Sequence, residues 1–335
     1  MKKDTLVSVI IPVFNGEKTL KLCLESVFQS EGSNCEVIVV DDHSTDHSAG
    51  IARQFPCRVL GMESNSGAAA ARNRGVEIAL GELLFFLDAD IVIEKNTIQQ
   101  IVETFHRRPD ISALFCSYQK HTLPSNFFSL YKNLVHHYTH QTSRVEAATF
   151  CGGFGAIRRE VFLEFHGFDE SRRNLEDIEL GYRLHQSDHK IYLNKEIQVT
   201  HCKHYSLLGL LQSDVLHRAI PWTTIMLEKK IFRNDLNTKI NNVLSIPLVF
   251  LLLLTLSLLP FFPPSRVVFV LLVGLLLLLN YDFYVFVLRE KGAVFTAKTS
   301  VMHWCTYLYS GVGLLIGFIT FLTKPAPKPT RSYSP

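Results

Sequence analysis

The sequence predicts an α/β domain followed by a group of membrane helices. Three observations carry this. Over residues 1–200, short apolar runs alternate with segments of helical length and spacing. Beyond residue 242 the apolar runs lengthen to about 20 residues, enough to cross a bilayer core. Acidic pairs stand directly after two of the short runs, Asp41-Asp42 and Asp88-x-Asp90.

Val7–Pro12, Glu36–Val40, Arg58–Gly61, Leu83–Leu87 and Ile111–Tyr118 have the continuous apolar character of buried parallel strands. Between them, Lys18–Gln29, Ser44–Phe55, Ala68–Leu80 and Asn96–Arg107 have helical length and spacing. Such alternation implies a sheet covered on both faces, with ligands bound outside the carboxyl ends of the strands. Both acidic pairs fall on that edge. The start, Met1-Lys2-Lys3 before Leu6–Phe14, faintly resembles an export signal. Asp4, Pro12 and Asn15 interrupt it, so it is read as a buried first strand.

The second region holds three expected spans, Val243–Phe262, Val267–Leu288 and Met302–Leu322; Asn280 and Asp282 interrupt the second. Lys229, Lys230, Arg233 and Lys239 precede the first span and place the preceding residues in the cytoplasm by the positive-inside tendency. Lys324, Lys328 and Arg331 pull the other way for three crossings. The expected division is 1–203 for the α/β domain, 204–240 for an amphipathic interfacial linker, 241–323 for the membrane helices and 324–335 for a Pro/Lys-rich tail. An integral protein of a bacterial inner membrane is the corresponding localisation.

Composition excludes other classes. The net charge of +3 and the lack of a basic run interleaved with aromatics exclude a nucleic-acid partner. Seven cysteines without a C-x-x-C pair argue against a disulfide framework or a zinc site.

Two carboxylates ending a buried strand pose a charge problem. Each is costly to desolvate, and the two repel. A positive group belongs beside Asp88 and Asp90. Hard oxygen ligands suit Mg²⁺ or Mn²⁺, which bind through one or two carboxylates and substrate phosphates.

Five motifs occur in order: Val9–Asn15 (VIIPVFN), Val39–Asp46 (VVDDHSTD), Asn65–Asn73 (NSGAAAARN), Asp88-Ala89-Asp90 and Glu176–Arg183 (EDIELGYR). Together they resemble the family 2 glycosyltransferases of the GT-A fold, over about residues 5–220. One departure is His43, where the family usually has glycine. The resemblance implies a nucleotide-sugar donor, with UDP the expected nucleotide. It implies that Asp42, favoured over Asp41, holds the base, and that Pro12, Val13 and Asn15 touch base and ribose. Gly67 lets backbone approach the donor, and Arg72 contacts the nucleotide or supports the acidic edge. Asp88 and Asp90 hold the metal, and His201 is a candidate third ligand. Gly152 and Gly153 leave room beside sugar and acceptor. Asp177, ahead of Glu176, is the implied catalytic base.

His217-Arg218-Ala219-Ile220-Pro221-Trp222 loosely resembles the Q-x-x-R-W segment of processive relatives but lacks its Gln. Arg218 and Trp222 are kept as acceptor-side candidates, and a processive polymerase is not expected. His136, His137 and His140 are expected on a solvated or acceptor-facing helix. The function expected is an inverting transferase acting on a hydroxyl of a lipid or lipid-linked acceptor. A polyprenyl-phosphate sugar synthase, or a nonenzymatic membrane scaffold, is the alternative.

Overall fold

The computed structural model describes residues 5–32, 34–231 and 236–323. Arg233 and the Pro/Lys-rich tail named above lie outside these residues. The chain divides into two units, Met1–Leu210 with Arg233–Lys239, and Leu211–Phe232 with the remainder from Ile240.

In the first unit the strands are β1 (Val7–Val13), β2 (Cys35–Asp41), β3 (Arg58–Gly61), β4 (Leu83–Leu87), β5 (Ile91–Val92), β6 (Ile111–Tyr118), β7 (Glu146–Ala147), β8 (Phe154–Arg158) and β9 (Lys190–His201). They form one sheet in the order β3-β2-β1-β4-β8-β6-β9-β5, with β7 on β9. β1 to β4 are parallel, as expected for continuous apolar runs, and every residue of β1 and β4 is buried. β8 runs antiparallel to both β4 and β6, so the sheet is mixed rather than wholly parallel. The helices between strands are α1 (Leu20–Phe28), α2 (Ser48–Ala52), α3 (Ala68–Glu77), α4 (Thr97–Arg107), α5 (Phe127–Thr142), α6 (Arg159–Glu164) and α7 (Glu176–Gln186).

The helix expected over 44–55 shrinks to α2. Its intended first turn gives its backbone N–H groups to side chains instead: Ser44 to Asp41 Oδ1 (3.1 Å), Thr45 to Asn15 Oδ1 (2.8 Å) and Ser48 to Asp46 Oδ1 (2.9 Å). Short polar residues compete with the helix in this way. The histidines of α5 also differ from expectation. His136 and His137 are buried, and His137 Nδ1 lies 2.7 Å from the Tyr118 carbonyl. His136 and His140 belong to an aromatic layer with Tyr118 and Phe154.

α8 (Leu207–Asp214) contains the division between the units. The second unit continues with a π-helical turn at Val215–Ala219, then α9 (Ile220–Lys229), α10 (Ile240–Leu258), α11 (Ser265–Leu279) and α12 (Tyr281–Thr323). Two of these helices, α10 and α12, are long and apolar enough to cross a membrane. Only 17% and 28% of their most apolar windows are buried, unlike the core helices of a soluble protein.

The second expected span, 267–288, is not one helix. α11 stops at Leu279 and α12 starts at Tyr281. Asn280 ends α11 by donating from Nδ2 to the Leu276 carbonyl (2.9 Å) and to Ser245 Oγ (3.1 Å), while its Oδ1 accepts from the Tyr307 hydroxyl (2.6 Å). With 15 residues, α11 is about 22 Å long, short of the ~30 Å hydrocarbon core. The third expected span lies within α12, which is interrupted at Gly292 (φ 80°, ψ 175°), a conformation essentially confined to glycine. On α12, Gly313 and Gly317 admit Ala219 and Thr223, the close small-residue packing common between membrane helices.

Candidate active site

The register of β1 with β2 and β4 aligns Val13, Asp41 and the end of β4 along one carboxyl edge. A cavity of about 410 Å³ opens there. Its walls are Pro12–Gly16 and Thr19 after β1, Asp42 after β2, Ala68 and Ala71 on α3, Asp88–Asp90 after β4, and Lys203 after β9. Pro12, Val13, Asn15, Asp42, Asp88 and Asp90 line it. Asp41, Gly67 and Arg72 are not part of that lining.

The loops at this edge use left-handed backbone. Asn15 (φ 51°) and His43 (φ 63°) both adopt it, so His43 takes the conformation for which the family resemblance expects glycine. Asp42 is buried and organises the start of α3. Its Oδ1 accepts the Ser66 N–H (2.7 Å); its Oδ2 accepts the Gly67 N–H (2.8 Å) and the Asn65 amide (3.1 Å).

Arg72 is the centre of the charge arrangement. It is 4% exposed, donates from Nη2 to Asp88 Oδ1 at 2.7 Å and from Nη1 to Glu176, and lies 5.5 Å from the centre of the Phe168 ring. Burial works against its charge, but Asp88, Glu176 and Asp177 together hold its pKa above the ordinary guanidinium value. Asp88 keeps one face open to solvent. Desolvation of the rest raises its carboxyl, Arg72 opposes that, and the nearby Asp90 charge adds to it. Burial likewise raises Glu176 against the pull of Arg72. Asp90 behaves differently. Burial would raise it, but the hydrogen bond and charge of His201, then the charge of Lys203, bring it below the usual range. His201 Nε2 lies 3.6 Å from Asp90 Oδ2.

Across from the β4 edge, α7 begins after Leu175, itself left-handed at φ 60°. Asp177 accepts the Gly152 N–H on Oδ2 (2.9 Å) and the Ile178 N–H on Oδ1 (2.8 Å). A Cβ at Gly152 would sit 3.2 Å from the Asp177 Cβ and 3.3 Å from the Arg72 guanidinium carbon; one at Gly153 would sit 2.6 Å from Asp88 Oδ2. The two glycines are thus where the two acidic pairs close on each other.

Two carboxylates and an imidazole form a donor set suited to Mg²⁺ or Mn²⁺. Among the described residues, no three His, Cys, Asp or Glu side chains form a ready cage. Asp88 faces Arg72, leaving Asp90 beside His201. This fits an ion whose shell is completed by the phosphates of a ligand.

Arg218 and Trp222 belong to the second unit, on the π-helical turn and on α9. Lys203 was missed from sequence. The available signal was a basic residue two positions beyond His201, at an edge already marked as acidic.

Comparison with known proteins bears on the fold. Two solved structures share the GT-A fold with this chain. One is the mannosyltransferase PcManGT from Pyrobaculum calidifontis in complex with GDP-Man and Mn²⁺, with a TM-score of 0.59 at 15% identity, covering 96% of this chain and 88% of that one. The other is residues 1–349 of S. aureus TarS in complex with UDP-GlcNAc, with a TM-score of 0.51 at 16% identity, covering 90% of each. The fold and its edge define a GT-A domain. Residues 8–165 match the Glycosyl transferase family 2 model. An uncharacterized glycosyltransferase of Haemophilus influenzae is 30% identical over 54% of this chain and 62% of its own length. Glycosyltransferase GlyG of Streptococcus pneumoniae is 28% identical over 50% of this chain and 61% of its own length. The chain thus spans about three fifths of these two relatives.

Proposed function

We propose that this protein is a membrane-anchored inverting glycosyltransferase that moves a sugar from a nucleotide-diphosphate donor, a UDP-sugar, to a hydroxyl of a lipid or lipid-linked acceptor. The observation that carries the reading is Arg72. One buried guanidinium ties Asp88, at the donor cavity, to Glu176, beside the implied base. A purely structural ion pair does not require one partner on the cavity wall and the other at the start of α7.

The cavity takes the nucleotide, with Pro12–Asn15 and Asp42 at its base end and Asp88–Asp90 at its phosphate end. Asp90, Asp88 and His201 would hold Mg²⁺ or Mn²⁺, which would supply charge stabilisation for the departing diphosphate. Asp177 removes the proton of the acceptor hydroxyl as its oxygen attacks the anomeric carbon. The C–O bond to the nucleotide diphosphate breaks as the new bond forms. A single displacement inverts the centre, so an α-linked donor gives a β-linked product.

Membrane anchoring is supported by the apolar, largely exposed faces of α10 and α12. Leu207, Leu208 and Leu216 are exposed as well, which suits an interfacial segment. Arg218 and Trp222 remain acceptor-side candidates. The division at 1–203, 204–240, 241–323 and 324–335, with a cytoplasmic catalytic domain, belongs to the same proposal. Its test is the full chain in detergent with radiolabelled UDP-sugars and total bacterial lipid, with and without Mn²⁺. A metal-dependent labelled lipid is expected. Sugar release or transfer that is equal in EDTA sinks the metal's role; no turnover of any nucleotide sugar sinks the reading.

A further inference from the structure

We infer that Lys203 is a ligand of the donor's diphosphate, a second positive charge that acts beside the metal; this rests on the reading just proposed. The cavity wall explains the need. Three carboxylates line it, Asp42, Asp88 and Asp90, and among the described residues Lys203 is the one basic side chain in that lining. Arg72 is not part of the lining and is already shared by Asp88 and Glu176. A diphosphate brings further negative charge into an acidic cleft, and one divalent ion does not balance both the wall and the ligand.

The backbone under Lys203 is fixed. The Cys202 N–H donates to the Asp90 carbonyl (2.7 Å), and His201 pairs with Ile91 in the β5–β9 ladder. Two residues on, the Tyr205 N–H donates to Ser129 Oγ (2.8 Å), and the Tyr205 ring is buried. Lys203 therefore leaves a pinned strap, while its own side chain is exposed. Its Nζ lies 5.5 Å from the Tyr205 ring centre and its charge reaches Asp90. A long side chain on a fixed root, resting on an aromatic face, turns towards phosphate oxygens without moving the loop. Lysine serves phosphate as a compact point charge with three donors.

The test is calorimetric titration of the detergent-solubilised full chain with UDP and GDP, and with uridine and guanosine, in Mn²⁺ and in EDTA. For whichever nucleotide binds, Lys203→Gln weakens the diphosphate about tenfold in both buffers, the size of one charge-assisted hydrogen bond. The matching nucleoside is unaffected, and Lys203→Arg keeps most of the diphosphate affinity. Equal diphosphate affinity of wild type and Lys203→Gln in both buffers overturns the inference while the functional reading stands. Equal loss for nucleoside and diphosphate assigns Lys203 to shaping the cavity and also overturns it. A wild-type chain that binds neither UDP nor GDP overturns both.

Discussion

The two units are built from similar residues arranged inside out. In the α/β unit, Leu83–Leu87 of β4 are 0–3% exposed, and the carboxylates cluster where the sheet meets the cavity. In the helical unit, Leu251 and Leu254 are 47% and 56% exposed, while Asn280, Ser245 and Asp214 are buried. Buried polar groups there are paired: Asn280 with Ser245 and Tyr307, Asp214 with the Tyr309 hydroxyl at 2.7 Å. The difference teaches that an apolar run becomes strand core or an exposed apolar helix according to its length and surroundings, not its composition.

The largest effect breaks the first half of the comparison. Asp90→Asn abolishes transfer while circular dichroism and melting stay near wild type, because a neutral amide is a poor ligand for a hard dication. EDTA reproduces the loss reversibly. A folded Asp90→Asn protein with wild-type turnover removes the edge from the chemistry.

Next is Asp177→Asn, which lowers kcat by about 10²–10⁴ and changes donor affinity only a few-fold. Single-turnover rates beside donor titrations check this. Loss of donor binding as well would move Asp177 to the donor side.

The helical half is broken by charge. Leu251→Lys on α10 costs about 2.5–3.5 kcal/mol if that face meets hydrocarbon. Carbonate-resistant membrane association should fall. An unchanged membrane fraction identifies the exposed leucines as a surface facing something other than lipid.

The smallest effect sharpens the inside-out arrangement. Asn280→Leu removes hydrogen bonds worth about 0.6–2 kcal/mol in a membrane setting and should lower the melting temperature in detergent by a few degrees. A stabilised variant would show that Asn280 is kept for function.

The first strands and the acidic edge were legible because buried parallel strands leave continuous apolar runs, and Asp88-x-Asp90 interrupts one abruptly. β8 was not legible as an antiparallel partner of β4. Its Phe154–Arg158 stretch is five residues long, and strand direction is set by long-range pairing. The break at Asn280 was hidden for a different reason. One polar residue in an apolar run reads as tolerated until its partners, Ser245 and Tyr307, are known. The bridge through Arg72 joins residues 104 apart in sequence, a separation that no local pattern reports.

That bridge also has a consequence for building hybrid enzymes. Arg72 on α3 answers to Asp88 after β4 and to Glu176 on α7, so three segments share one charge balance. Grafting the nucleotide-facing loops of another transferase without its α7 segment would strand an acid or the guanidinium in the interior. The three segments are bound to one another by charge, and exchange between relatives should succeed only with all three moved as one cassette.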